Sequence, residues 1–138
     1  MYDPDRLGAL CERLGIRRVV LFGSRATGSP PPGPASDLDL AVSLVDPDHP
    51  TRFRELHHEL SELFATESLD LASLDRADPL FRWEVVREGV LLWGDPLDYL
   101  EFRAFAFRDF VDSADLRRLE RALFEKKLAY IRERLGAA

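Results

Sequence analysis

The sequence has 138 residues, enough for one domain with a single core and no covalent staples. A net charge of −6 argues against a broad, sequence-independent grip on nucleic acid, while leaving room for a nucleotide held through a metal. The one cysteine, Cys11, excludes an internal disulfide framework and a cysteine-based zinc site, and it suits a reducing, cytoplasmic setting. No apolar run reaches membrane-spanning length, and Met1-Tyr2-Asp3-Pro4 lacks the basic and apolar parts of a signal peptide.

Asp3-Pro4 reads as a helix start, since Asp caps free N–H groups and Pro is tolerated in the first turn. Leu7, Leu10, Cys11 and Leu14 then form an apolar stripe, with Cys11 expected to be an inert core thiol, and Gly15 ends the helix. Arg17-Arg18-Val19-Val20-Leu21-Phe22 is a β-branched and aromatic run, the mark of a buried strand. The next stretch, Gly23-Ser24-Arg25-Ala26-Thr27-Gly28, carries chemistry. Gly23 lets the backbone turn sharply, and Ser24 adds a hydroxyl where a helix could begin, an arrangement suited to phosphate.

A proline-rich loop, Ser29-Pro30-Pro31-Pro32-Gly33-Pro34-Ala35, leads to Ser36-Asp37-Leu38-Asp39-Leu40 and a second strand running to about Val45. Residues i and i+2 of a strand share a face, so Asp37 and Asp39 project side by side. Carboxylates that close raise each other's pKa, and a hard cation removes the conflict. Mg²⁺ fits best, because it takes few carboxylates and fills its shell with water and phosphate oxygens. A phosphate cradle beside such a pair is equipment for phosphoryl or nucleotidyl transfer.

At these residues the sequence resembles the nucleotidyltransferase superfamily typified by DNA polymerase β. The short chain is similar to its minimal nucleotidyltransferase (MNT) branch, antitoxin partners of HEPN-domain proteins. The resemblance covers the first ninety-odd residues and, more loosely, the helical tail. It implies that Gly23 and Ser24 bind a nucleoside triphosphate, that Asp37 and Asp39 hold metal, and that a third Asp on a later strand completes the site. Thr27 departs from the pattern, which has Arg or Lys there, and the proline loop is longer than usual.

Asp46-Pro47-Asp48-His49-Pro50 is a turn, and a helix is expected from about Thr51 to Ala65, with Phe53, Leu56, Leu60, Leu63 and Phe64 on one face. His57 and His58 are consecutive on it, point different ways and read as surface residues rather than metal ligands. Glu67-Ser68-Leu69-Asp70-Leu71-Ala72-Ser73-Leu74 alternates as a strand, with Asp70 and Ala72 on the face opposite Leu69 and Leu71. If this strand lies beside the second, Asp70 joins Asp37 and Asp39, and its setting resembles the family's third aspartate. Glu67 and Asp75 bracket it at less suitable strand ends. Asp78-Pro79 starts a helix that stops at Gly89, and Val90-Leu91-Leu92-Trp93 is a short last strand before Gly94-Asp95-Pro96.

Helices then run from about Leu97 to Leu135, broken near Asp112-Ser113. Leu97, Leu100, Ala104, Phe107 and Val111 form one stripe, and Tyr99, Phe102, Phe105, Ala106 and Phe110 cover much of the rest. That second aromatic face is expected to be a protein interface. On the last helix Leu116, Leu119 and Leu123 form a short stripe and Phe124, Leu128, Ile131 and Leu135 another, while Arg117, Arg118, Arg121, Lys126 and Lys127 read as a solvated face.

The expected fold is therefore α/β (α+β): a small sheet flanked by helices, made mixed by the resemblance, with a C-terminal helical arm. One nucleotidyltransferase domain is expected over 1–138, with residues 1–96 as catalytic core and 97–138 as arm. The leading expectation is an enzyme with catalytic and metal-holding Asp37, Asp39 and Asp70, nucleotide-binding Gly23 and Ser24, and Mg²⁺, two ions, as cofactor. The resemblance implies ATP as donor and a tyrosine of a HEPN-type toxin as acceptor, docking on the tail. Transfer to a small hydroxylated molecule such as an aminoglycoside is one alternative, and a catalytically idle partner-binding module is another.

Overall fold

The computed structural model describes residues 2–28, 37–47 and 52–136. The proline loop and most of the 46–50 turn lie outside the described residues, as does Thr51. In chain order the elements are α1 (Pro4–Leu14), β1 (Ile16–Phe22), α2 (Ser24–Thr27), β2 (Leu38–Leu44), α3 (Arg52–Leu63), β3 (Leu69–Ser73), α4 (Pro79–Glu88), β4 (Val90–Trp93), α5 (Pro96–Asp112) and α6 (Ala114–Arg134). The strands align as β3-β2-β1-β4 in one sheet. It is mixed, as expected: β1 runs antiparallel to β2 and β4, and β2 runs parallel to β3.

Local chemistry sets the helix ends. Three helices open on Asp-Pro. Asp3 accepts from the Asp5 N–H, Asp78 from those of Leu80 and Phe81, and Asp95 from that of Leu97. The Gly94-Asp95-Pro96 turn is thus also the start of α5. Gly15 closes α1 in the left-handed region, at φ 70°.

Strand alternation sorts the core into two clusters on opposite faces of the sheet. On one face Val19, Leu38, Leu40, Val42 and Leu69 meet Leu7, Leu10 and Cys11 of α1 and Leu56 and Leu60 of α3. Cys11 is buried there, and burial, with the nearby Glu12 charge, pushes its thiol up to about 12, so it is inert at neutral pH. On the other face Val20 and Ala41 meet Val85 and Val86 of α4 and Tyr99 and Ala106 of α5, with Phe22, Ala72 and Phe102 packed around them.

Two buried arginines fasten the second face. Arg18 of β1 is 4 % exposed; it donates to Ser43 Oγ at 2.8 Å and to Asp98 of α5 at 2.7 Å. Arg82 of α4 donates to the Leu74 carbonyl at 2.9 Å and pairs with Asp109 of α5 at 3.2 Å. These contacts, with the Arg18 guanidinium 4.2 Å from the Phe102 ring centre, hold α5 against the sheet.

The arm corrects the sequence reading of its two faces. Tyr99 and Ala106 are buried and Phe102 is half-buried, so most of the aromatic face assigned to a partner belongs to the core. Of that face Phe105 remains outside, at 44 % exposure. The outward stripe is Leu97, Leu100, Phe107 and Val111, 48–65 % exposed. A helical wheel measures how wide an apolar surface is, not which side the sheet takes. Among the described residues α6 buries no side chain at all, and Leu116, Leu119, Leu123 and Phe124 are 55–61 % exposed.

Candidate active site

The two faces of the sheet decide where the acidic residues go. Asp39 pairs across β1 with Phe22, and residues paired across a ladder share a face. Phe22 belongs to the α4/α5 side, so Asp39 does too. Asp70 stands opposite Asp39 in the parallel register of β2 and β3, on the same side. The sequence reading left open whether β3 lies beside β2; it does. Asp37 lies just ahead of β2 and is exposed.

Asp39 is half-buried, Asp70 is exposed, and their carboxyl groups are within hydrogen-bonding reach of each other. Burial first, then the charges of Asp70 and Asp37, push the Asp39 pKa above its ordinary value, and the Arg25 charge pulls it partly back. The pair therefore wants a shared proton or a cation. Among the described residues no three His, Cys, Asp or Glu side chains converge into a ready-made metal cage. Two carboxylates in contact and a third a step away fit Mg²⁺, an ion that keeps several waters and borrows phosphate oxygens.

The Gly23-Ser24 turn abuts this pair. Gly23 has φ 75°, and a Cβ added there would collide with the Asp39 carboxylate. Any side chain at Gly23 would thus displace Asp39 itself, a stronger constraint than the phosphate crowding that the sequence pointed to. α2 is a single turn of four residues, too short to bring a helix dipole. The amides of Ala26 and Thr27 donate to the Gly23 carbonyl and that of Gly28 to the Ser24 carbonyl, so the front of the turn, at Ser24, is what can face a phosphate.

The other polar candidates fall outside. Asp75 accepts the Leu44 N–H at 2.9 Å and so caps the end of β2, while Glu67 is exposed on the approach to β3. His57 bonds the Leu69 carbonyl at 2.9 Å and His58 reaches Glu62 at 3.3 Å; both are exposed. Sequence reasoning passed over Phe81, Glu84 and Arg87 of α4, which line a pocket with Gly23 and Ser24. They lie some sixty residues away in sequence, and nothing local distinguishes them from a solvated helix end.

A mixed sheet that presents a Gly-Ser turn and facing aspartates on one side of three neighbouring strands has the build of a polymerase β-like nucleotidyltransferase. The family model described as "Polymerase beta, Nucleotidyltransferase" matches residues 7–96, and the chain belongs to that family. It is 29 % identical over 119 residues to a protein adenylyltransferase MntA of Aphanizomenon flos-aquae (strain 2012/KM1/D3), covering 80 % of this chain and 77 % of that one. In fold it resembles a toxin–antitoxin crystal structure with AMP-PNP, at TM-score 0.70 and 23 % identity over 91 % of this chain and 98 % of that one. It also resembles a chain from the complex of a tri-AMPylated Shewanella oneidensis HEPN toxin with its MNT antitoxin. There the TM-score is 0.64 and the identity 22 %, over 91 % of this chain and 95 % of that one. Among the described residues no helix is long and apolar enough to cross a membrane.

Proposed function

We propose that the protein transfers AMP from ATP, with Mg²⁺, to a hydroxyl of a protein partner, a tyrosine of a HEPN-type toxin, and so acts as its antitoxin. The observation that carries the reading is the contact of Asp39 with Asp70 beside Gly23, inside a chain of this family. The related proteins, an adenylyltransferase and an MNT antitoxin bound to an AMPylated HEPN toxin, support the donor and the acceptor.

In this reading Asp37, Asp39 and Asp70 hold Mg²⁺, up to two ions, and Gly23 and Ser24 hold the triphosphate. The bound metal would neutralise charge on the phosphates and lower the acceptor hydroxyl's pKa. Asp70, the exposed member of the Asp39–Asp70 pair, faces the incoming acceptor and takes its proton as the oxygen attacks the α-phosphorus. The new O–P bond forms as the bond to the β-phosphate oxygen breaks, and pyrophosphate leaves. Asp39, half-buried and crowded by Asp70, keeps the carboxylates fixed relative to the turn. Residues 1–96 act as the catalytic core and 97–138 as an arm of the same domain.

A protein acceptor suits the arm better than a small molecule does. The 21 residues of α6 bury no side chain, and an isolated helix with an exposed leucine stripe is marginal in water. The partner would cover α6 and the outer stripe of α5. The test is incubation with labelled ATP and Mg²⁺, with and without a HEPN-domain partner. Label should appear on the partner and vanish with Asp39→Asn. Label on an aminoglycoside instead, or on nothing, would overturn the reading.

A further inference from the structure

One pocket beside the site shares Gly23 and Ser24 with the chemistry above, and its α4 wall has no part in that chemistry. It opens between the Gly23-Ser24 turn and the last turn of α4, holds about 330 Å³, and its walls include Ser24, Thr27, Phe81, Glu84, Arg87 and Glu88. The sheet order gives it a place in the reaction. β3 carries Asp70, β2 carries Asp39, β1 leads into Gly23, and α4 packs along β1 on the same face.

An in-line displacement sets the attacking oxygen, the phosphorus and the leaving oxygen on one line. With the acceptor at Asp70 and the α-phosphorus over Asp39, the leaving pyrophosphate points across Gly23 into this pocket. Pyrophosphate is multiply charged and needs a cation there besides any metal. Thr27 brings none; its hydroxyl donates to the Gly23 carbonyl at 3.3 Å. Residues 29–36, which follow the turn, include no charged side chain. Arg25, next to Ser24, is a cation of the turn whose charge acts on Asp39; among the described residues lining the pocket the cation is Arg87.

We infer that Arg87, at the C-terminal end of α4, is the substrate-binding residue that grips the β- and γ-phosphates of the donor and then the departing pyrophosphate. The inference rests on the nucleotidyl-transfer reading above. A guanidinium suits this task because its planar fork offers paired N–H donors to phosphate oxygens. Its present partner is Glu88, with Nη2–Oε1 at 3.6 Å and both side chains more than half exposed, a loose pair that a phosphate can displace. Glu88 and Glu84 on the same wall repel an anion, so Arg87 would grip the tail together with a bound metal and not alone.

Calorimetric binding in Mg²⁺ of a non-hydrolysable ATP analogue, of pyrophosphate and of AMP tests this. Arg87→Ala should weaken the analogue and pyrophosphate about tenfold and leave AMP unchanged, with Arg87→Lys in between. Glu88→Gln should tighten the analogue by freeing Arg87, and melting temperatures should stay at the wild-type value throughout. If Ser24→Ala weakens the analogue while Arg87→Ala does not, Arg87 is only a solvated helix-end residue and this inference alone falls. Equal loss of AMP and analogue in Arg87→Ala would put the residue at the nucleoside and also overturn it. Analogue binding indifferent to Ser24→Ala, Asp39→Asn and Arg87→Ala alike would overturn both this inference and the reading beneath it.

Discussion

The sheet layer and the last helix obey opposite rules. β2 buries Leu38, Leu40 and Val42 against α1 and α3 and Ala41 against α4 and α5, so each of these apolar side chains meets another layer of the molecule. α6 is longer than any strand and, among the described residues, buries nothing. The sheet is a closed problem in packing, solved within the chain. The arm carries the same kind of apolar residues without a layer to receive them. The difference teaches where to look for each kind of function: chemistry on the rigid sheet, recognition on the element whose partner lies outside the chain.

The largest effect that can sharpen this contrast is on the reaction. Asp39→Asn or Asp70→Asn should lower the rate of transfer roughly 10³-fold, the scale of losing a preorganised charged group at a reacting centre. Removing one of two crowded carboxylates should leave the metal-free protein as stable as the wild type, or more so. Rate measurements alongside thermal melting check both halves. A folded Asn variant that transfers normally would move the chemistry off the sheet.

Next comes the joint between the two regions. Asp98→Ala removes the acceptor of Arg17 and of buried Arg18, leaving the Arg18 guanidinium with Ser43 as its hydrogen-bond partner among the described residues. Breaking such a pair from one side costs about 3 kcal/mol, read as a lower denaturant midpoint. An unchanged midpoint would mean that α5 is held by its apolar contacts and the Arg82–Asp109 pair without help from Asp98.

The arm itself separates by face. Phe102→Ala, on the inner face, should cost about 2 kcal/mol of stability. Leu119→Asp with Leu123→Asp, on α6, should leave the melting transition within about 0.5 kcal/mol. The α6 double variant should instead weaken partner capture by about 2 kcal/mol, roughly thirtyfold. Pull-down titration and melting on the same samples decide it. Full partner affinity in the Asp double variant would assign docking to another surface.

The smallest effect is in pH. Asp39 has a raised pKa in the folded state, so the native protein holds its proton to higher pH than the unfolded chain does. Its ionisation costs stability as pH rises through the carboxylate range to that raised value, and acid relieves the cost. Asp98 has the opposite sign, because hydrogen bonds from Arg17 and Arg18 hold its pKa down. Its contribution is present above the ordinary carboxylate range and is lost as pH falls through the lowered value. The stability gained by Asp39→Asn should therefore be greatest at neutral pH and vanish in acid, while the cost of Asp98→Ala shrinks only at lower pH still. Melting curves across that range, without Mg²⁺, read out both.

The sequence alone determined the elements and most residues of the candidate site, because the signals for them are local. Alternation in Leu38–Val42 fixed which residues share a face, two Asp-Pro pairs fixed helix starts while the third was read only as a turn, and Gly23 with Ser24 marked the turn. The Asp37–Asp39 spacing put one carboxylate just ahead of β2 and one inside it, close enough for the Asp37 charge to act on Asp39. Tertiary structure decided everything that depends on which element lies beside which. It set Asp70 opposite Asp39, because the parallel register of β2 and β3 is a property of the sheet and not of either strand. It brought Arg87 to the Gly-Ser turn by packing α4 along β1, and it buried Tyr99 while exposing Phe107. α5 is apolar around most of its circumference, so periodicity could not choose its inner side. The Arg18–Asp98 and Arg82–Asp109 pairs made that choice, by fastening one face of the helix to the sheet and leaving the other to solvent.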